Sequence, residues 1–259
     1  MKTCAVFLLV LCHLAVSHAW TCGEAPMLYN AQQIEAGQGK VVARDRSNYP
    51  YFLIGSSWIR LSYVRFRQIT VGPAGLWGCD TSSRVYKYVA GNFQRSYGLS
   101  MSQLDAGGDD QLVGVTTRSR AYCLRASTAL THRGLTSLSW SYLSRTFRHI
   151  SCSPQNGCWG VDTSYRVYHT RTMSSNCVAA SWTLVTGPRM KLVDVGTDGT
   201  VIGLTTAGQV YQRVGTSTSR PAGYGWSSIT MCMGIRDLSY DLGQLWVVTN
   251  AGFILKCRG

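Results

Sequence analysis

The 259-residue chain is 45% apolar and 14% charged, with 27 Gly against 6 Pro, a mix that suits short strands and tight turns and excludes a helical bundle. Its length supports one continuous all-β domain with a full core and calls for no second. The formal net charge of +13, from 25 Lys and Arg against 12 Asp and Glu, favours anionic surfaces as partners.

The chain begins with Lys2, an apolar run from Ala5 to Val16 and then Ser17-His18-Ala19, which together predict a secretory signal over residues 1–19. No later stretch approaches the roughly 18 to 20 apolar residues of a transmembrane helix, so residues 20–259 are expected to be exported as a soluble protein. Processing removes Cys4 and Cys12 and leaves Cys22, Cys79, Cys123, Cys152, Cys158, Cys177, Cys232 and Cys257. An even count in an exported chain favours disulfides. Zinc is not expected, because the Cys152 to Cys158 spacing has no second pair and no His-x-x-x-His partner.

Along the chain a unit returns. Trp77 to Tyr88 and Trp159 to Thr170 are identical at eight of twelve positions without a gap, which marks internal repetition. Taking the first apolar strand of each unit as its origin gives starts near Ile34, Ile69, Leu104, Ile150, Val193 and Leu238, a spacing of about 35 to 46 residues, as in propeller blades. Each unit continues with a Gly-rich turn, a second apolar strand, a polar turn and a third strand with an aromatic residue. Trp58, Phe93, Trp140, Trp182 and Trp226 mark fourth strands. Six such units predict a six-bladed β-propeller of four-stranded antiparallel blades, with longer loops between Arg125 and Trp140 and between Arg171 and Trp182.

The sixth unit ends at Gly259 without an outer strand, and residues 20–30 are expected to supply it. Cys22 then lies beside Cys257, and a bridge between them closes the ring. Cys152 and Cys158 flank one hairpin and are placed to pair across it, while Cys123 and Cys177 lie at the outer parts of the third and fourth units. Cys79 and Cys232 remain, to be free, buried or paired differently.

The segments Ile69 to Gly78, Leu104 to Asp109, Ala207 to Tyr211 and Tyr240 to Val248 resemble tectonin repeats, and the chain after its leader resembles the fish-egg lectins of the tectonin-repeat β-propeller family. That resemblance implies a secreted, disulfide-bonded, non-catalytic lectin, often oligomeric, for N-acetylglucosamine and bacterial surface glycans. The family usually carries Val-Asn after its Trp-Gly pair. Asp80 and Asp162 replace that Asn, and Arg84 and Arg166 precede the third strands, so the sugar preference is expected to have shifted.

Neutral sugars are held by fixed hydrogen-bonding groups and by aromatic faces. Asp80 and Asp162 as acceptors, Arg84 and Arg166 as forked donors, and Ser82 and Ser164 as either are the candidate sugar-binding residues. The competing use is local, since Asp-Thr-Ser also caps a tight turn through its own backbone. Trp77, Trp159 and Trp246 recur at one strand position and are expected in the core. Arginine clusters at 60–67, 118–125 and 145–148 point to lipopolysaccharide phosphates, teichoic acids or acidic glycans; nucleic acid is not expected, since no recognised module is present. Catalysis is not expected either. His132, His149 and His169 sit in no triad order, no Gly-x-Ser-x-Gly or His-Glu-x-x-His occurs, and the acids Asp105, Asp109, Asp110, Asp194, Asp198 and Asp237 are scattered over the units, so a glycosidase pair requires the fold to bring two together. No cofactor is expected, because no acidic loop has calcium-ligand spacing, although carbonyls lining a propeller channel bind ions without a sequence signature.

Overall fold

The computed structural model describes residues 20–259, and the expected leader at 1–19 lies outside them. The described residues form six four-stranded antiparallel sheets arranged as the blades of a ring. The strands nearest the axis are Ala31–Gly37, Phe66–Gly72, Met101–Asp105, His149–Ser153, Met190–Val195 and Ile235–Asp241. In the first five blades each later strand pairs outward from the one before. All inner strands run from one end of the ring, the upper end, to the other.

Second strands such as Leu112–Thr116, Gly157–Val161 and Val201–Thr205 are buried at every residue because a neighbouring blade covers each face. They therefore read as apolar runs, whereas outer strands such as Ser57–Arg60 are largely exposed. Glycine in the second strand is a matter of room. A Cβ on Gly78 would lie 2.7 Å from the Phe66 ring, and one on Gly160 would lie 2.5 Å from the Phe147 ring. Where the first blade starts its inner strand with the small Ala31, Ala43 replaces the glycine. Trp77 and Trp159 are fully buried and Trp246 nearly so. Trp58, Phe93 and Trp226 lie in outer strands, while Trp140 and Trp182 stand one residue before theirs, Ser141–Thr146 and Thr183–Val185.

The sixth blade is completed by Thr21–Glu24, which pairs with Ile254–Arg258 and sets Cys22 opposite Cys257. Disulfides join Cys22 to Cys257, Cys123 to Cys177 and Cys152 to Cys158. Cys79 and Cys232 are free, the first buried and the second exposed. Burial pushes the Cys79 thiol up to about 12, so it acts as a small apolar side chain rather than a nucleophile.

The segment after Arg125, expected as plain loop, contains a short helix, Ala126–Thr131. Six residues carry no helical period to read. The helix is held from outside, by Lys87 Nζ donating to the carbonyls of Ala129 and Leu130 at 2.5 and 3.0 Å.

Side chains facing the axis stitch neighbouring blades together. Gln33, Gln68 and Gln103 each accept from and donate to the backbone of the next inner strand, at Ile69, Leu104 and Ile150. Asp237 closes the same circuit by accepting from Ile34 N–H at 2.9 Å.

Candidate functional site

The turns joining second to third strands all lie at the upper end, and one device builds all six. In the second blade Asp80 Oδ1 accepts from the N–H groups of Ser82 and Arg84 at 2.9 and 2.8 Å, while Oδ2 takes Arg84 Nε at 2.6 Å and Tyr86 Oη at 3.3 Å. In the fourth, Asp162 Oδ1 accepts from Ser164 and Arg166 N–H, and Oδ2 from Arg166 Nε. Asp45 accepts from Tyr49 N–H in the first blade. Thr116, Thr205 and Thr249 use Oγ1 for the bond from Arg120, Gln209 and Phe253 N–H, each 3.1 Å.

The turn sets its fourth residue at positive φ: Asn48, Ser83, Ser119, Tyr165, Gly208 and Gly252, between 60° and 89°, the hairpin geometry of a type I turn followed by a left-handed residue. The carbonyl so presented hooks the next blade. Asn48 O, Ser83 O, Tyr165 O, Gly208 O and Gly252 O accept from the first N–H of the following inner strand, at Phe66, Met101, Met190, Ile235 and Ala31, and Ser119 O accepts from Phe147 N–H, two residues before its strand, over 2.7 to 3.4 Å.

The sequence candidates thus divide. Asp80 and Asp162 are 2% and 6% exposed, and their oxygens are engaged within the turn. Ser82, Arg84, Ser164 and Arg166 face solvent on the same end. Around the fourth-blade turn further cations gather, with Arg148 stacked 4.3 Å over the Tyr165 ring and Arg189 Nη1 donating to Ser164 O.

A family model described as Tectonin domain matches residues 30–250, and the fish-egg lectin of Cyprinus carpio is 34% identical over 230 residues, covering 88% of this chain and 95% of its own. The chain belongs to the tectonin family. Among solved structures it is similar to a catalytically inactive virginiamycin B lyase from Staphylococcus aureus, with a TM-score of 0.60 and 12% identity over 93% of this chain and 99% of that one. A Bacteroides thetaiotaomicron protein of unknown function gives a TM-score of 0.61 at 11% identity, covering 92% and 72%. At these identities the two share the fold alone.

The charge of this tectonin propeller is unevenly spread. Arg46, Arg67, Arg84, Arg148, Arg166 and Arg189 are exposed at the upper end. Four acids of that end, Asp45, Asp80, Asp162 and Asp237, are each bonded to backbone N–H groups. These exposed guanidinium groups favour anions at that end.

On the axis the fold gathers acids that the sequence scatters. Positions facing the channel alternate acid and hydroxyl around the ring: Glu35, Thr70, Asp105, Ser151, Asp194 and Ser239. Carboxylate atoms of Glu35, Asp105 and Asp194 lie within 4.8 Å of one another, and among the described residues this is the group that could jointly hold a cation. Their oxygens also serve the ring. Asp105 accepts from Cys152 N–H at 3.0 Å, and Asp194 from Tyr240 N–H at 2.6 Å and Ser239 Oγ at 3.0 Å.

Burial, and then the Asp194 charge, push Asp105 up to about 7, and burial brings Asp194 to about 6. Glu35 is raised well above the carboxylate range by burial and both neighbours. A carboxyl that holds its proton in the fold but loses it near 3.8 when unfolded costs nothing in acid, then destabilises progressively as pH climbs to about 7. Asp105→Asn keeps an acceptor for Cys152 N–H and removes the charge. It is therefore expected to raise stability at pH 8 and to be nearly neutral at pH 4. Urea titrations at the two pH values measure this; destabilisation at pH 8 would show that the ionised carboxylate is required.

Among the described residues the histidines make no acid-backed triad. Ser96 Oγ and His132 Nε2 are 2.7 Å apart, but Thr136 Oγ1 meets His132 Nδ1, and Ser96 and His132 are only 3% and 7% exposed. The pair fastens the segment behind the helix to the second blade.

Proposed function

We propose that the chain is a secreted, non-catalytic lectin, with residues 1–19 as its export leader, recognising N-acetylglucosamine-type glycans and bacterial surface glycans such as lipopolysaccharide and peptidoglycan in a defensive or egg-protecting role. Kinship with the Cyprinus carpio fish-egg lectin, over 88% of this chain and 95% of that one, carries the reading. The three disulfides suit an oxidising compartment.

Within it, Ser82, Arg84, Ser164 and Arg166 are the sugar contacts at the upper end, with Asp80 and Asp162 holding their turns in position. The surrounding arginines add attraction for phosphate-bearing envelope components, and homo-oligomers multiply weak single-site contacts.

On a glycan array the processed protein is expected to bind N-acetylglucosamine-terminated glycans, inhibited by the free sugar. Binding to lipopolysaccharide-bearing cells is expected to weaken at least tenfold between about 50 and 500 mM salt as screening shortens the field. No reducing sugar is expected from chitin oligomers. A blank array from folded protein would favour the other reading, a structural scaffold of an egg coat or matrix.

A further inference from the structure

The lower end carries a feature unrelated to the upper turns, a cleft of about 360 Å3 between the fourth and fifth blades. One wall is the innermost hairpin of the fourth blade, with Pro154, Gln155 and Asn156; the other is that of the fifth, with Asp198 and Gly199. Arg171 and Thr216, from loops leading to the two outer strands, close the sides.

Asn156 is the unusual residue. It is 4% exposed and its other polar groups are used: N–H donates to Ser153 Oγ, Nδ2 donates to Gly199 O at 3.0 Å, and its carbonyl accepts from His169 Nε2. Its Oδ1 has no partner. A buried amide oxygen left without a donor is costly, and Asn156 is one of the residues that line the cleft.

The hairpin that presents it is fixed. Cys152 and Cys158 are bridged at its base with their Cα atoms 4.0 Å apart. Gly157 has φ +62° and no space for a Cβ, with Thr170 O 2.1 Å from that position. A rigid presentation lowers the ordering cost of binding.

The lining sets the ligand class. Arg171 and Asp198 balance in charge, the amides and hydroxyls of Gln155, Asn156 and Thr216 both donate and accept, and Pro154 and Pro221 give only small apolar faces. This suits neither a polyanion nor a hydrophobic molecule, but a neutral ring bearing several hydroxyls.

We propose that the cleft between the fourth and fifth blades is a saccharide subsite for a neutral sugar ring, with Asn156 Oδ1 accepting from a ring hydroxyl or amide. It rests on the lectin reading and is independent of the upper-end residues.

The test is calorimetric titration of the processed, disulfide-intact protein with N-acetylglucosamine and its β-1,4 disaccharide, together with crystals soaked in the same sugars. Two variants address the cleft: Gln155→Ala/Arg171→Ala, which alters two exposed side chains, and Thr216→Trp, which fills it. Each is expected to remove this site from the stoichiometry, or to weaken binding at least tenfold, with an unchanged melting temperature, whereas Ser82→Ala/Ser164→Ala leaves the site intact. Sugar density on Asn156 in soaked crystals supports the assignment. Wild-type titration curves from both cleft variants, or only water on Asn156 Oδ1, overturn the subsite while leaving the lectin reading standing. A wild-type protein that binds no saccharide overturns both.

Discussion

A Cys22→Ala/Cys257→Ala variant is expected to be the most damaging of the disulfide deletions, losing about 5 kcal/mol, because the bridge closes nearly the whole chain into one loop. The separation is 235 residues, against 54 for Cys123–Cys177 and 6 for Cys152–Cys158. Chain entropy then predicts losses of roughly 5, 4 and 2 kcal/mol for the three paired alanine variants. The same bridge holds Thr21–Glu24, whose four residues are exposed and pair with one neighbour only; Trp20, packed against Tyr240, and the Trp58 Nε1 bond to Pro26 O at 2.8 Å hold its two flanks. Denaturant titrations of the three variants measure the order. Exposed Cys232 is a partner for exchange if a single cysteine is left, so both members of each pair are replaced. A loss below about 1 kcal/mol for the ring-closing pair would mean that strand pairing and the blade hooks alone keep the propeller shut.

The six blades were legible because the repeat is written in residues that packing constrains. Ile34, Ile69, Leu104, Ile150, Val193 and Leu238 sit at one register of the inner strand and are all buried. The closing strand was legible from arithmetic, since the sixth unit lacks one. What stayed hidden has a physical cause in each case. The helix Ala126–Thr131 owes its position to Lys87, on another blade. The carboxylates of Glu35, Asp105 and Asp194 converge only because the ring brings its inner strands to one axis. Asn156 looks like any hairpin polar residue until its buried oxygen is found without a donor.

The turn aspartates are the instructive case. Read in two blades, Asp80 and Asp162 look like sugar ligands; aligned over six, they share a position with Asp45, Thr116, Thr205 and Thr249, and what all six have in common is the bond to backbone four residues on. That alignment was available in the sequence as a signal. Likewise Gln33, Gln68 and Gln103 recur every 35 residues because each clamps the next blade.

Asp80 can therefore be separated into its two uses by substitution. Asp80→Ala is expected to cost about 2 to 3 kcal/mol, because the buried carboxylate accepts from two backbone N–H groups that the turn then leaves unpaired. Its ion pair adds little, since half of the Arg84 side chain is in water. The damage extends beyond the turn, because the Ser83 carbonyl that hooks Met101 N–H at 2.9 Å is positioned by it. Asp80→Thr installs the group that three other blades use at this position, with one acceptor for Arg84 N–H, and is expected to recover all but about 1 kcal/mol. Stability and glycan binding of the two variants, measured together, assign the carboxylate. If Asp80→Thr restores stability and binds glycans like wild type, the carboxylate shapes the turn and the exposed Ser82 and Arg84 make the contact. If it restores stability while binding is lost, a carboxylate oxygen itself meets the sugar, and Asp162 is expected to behave in the same way.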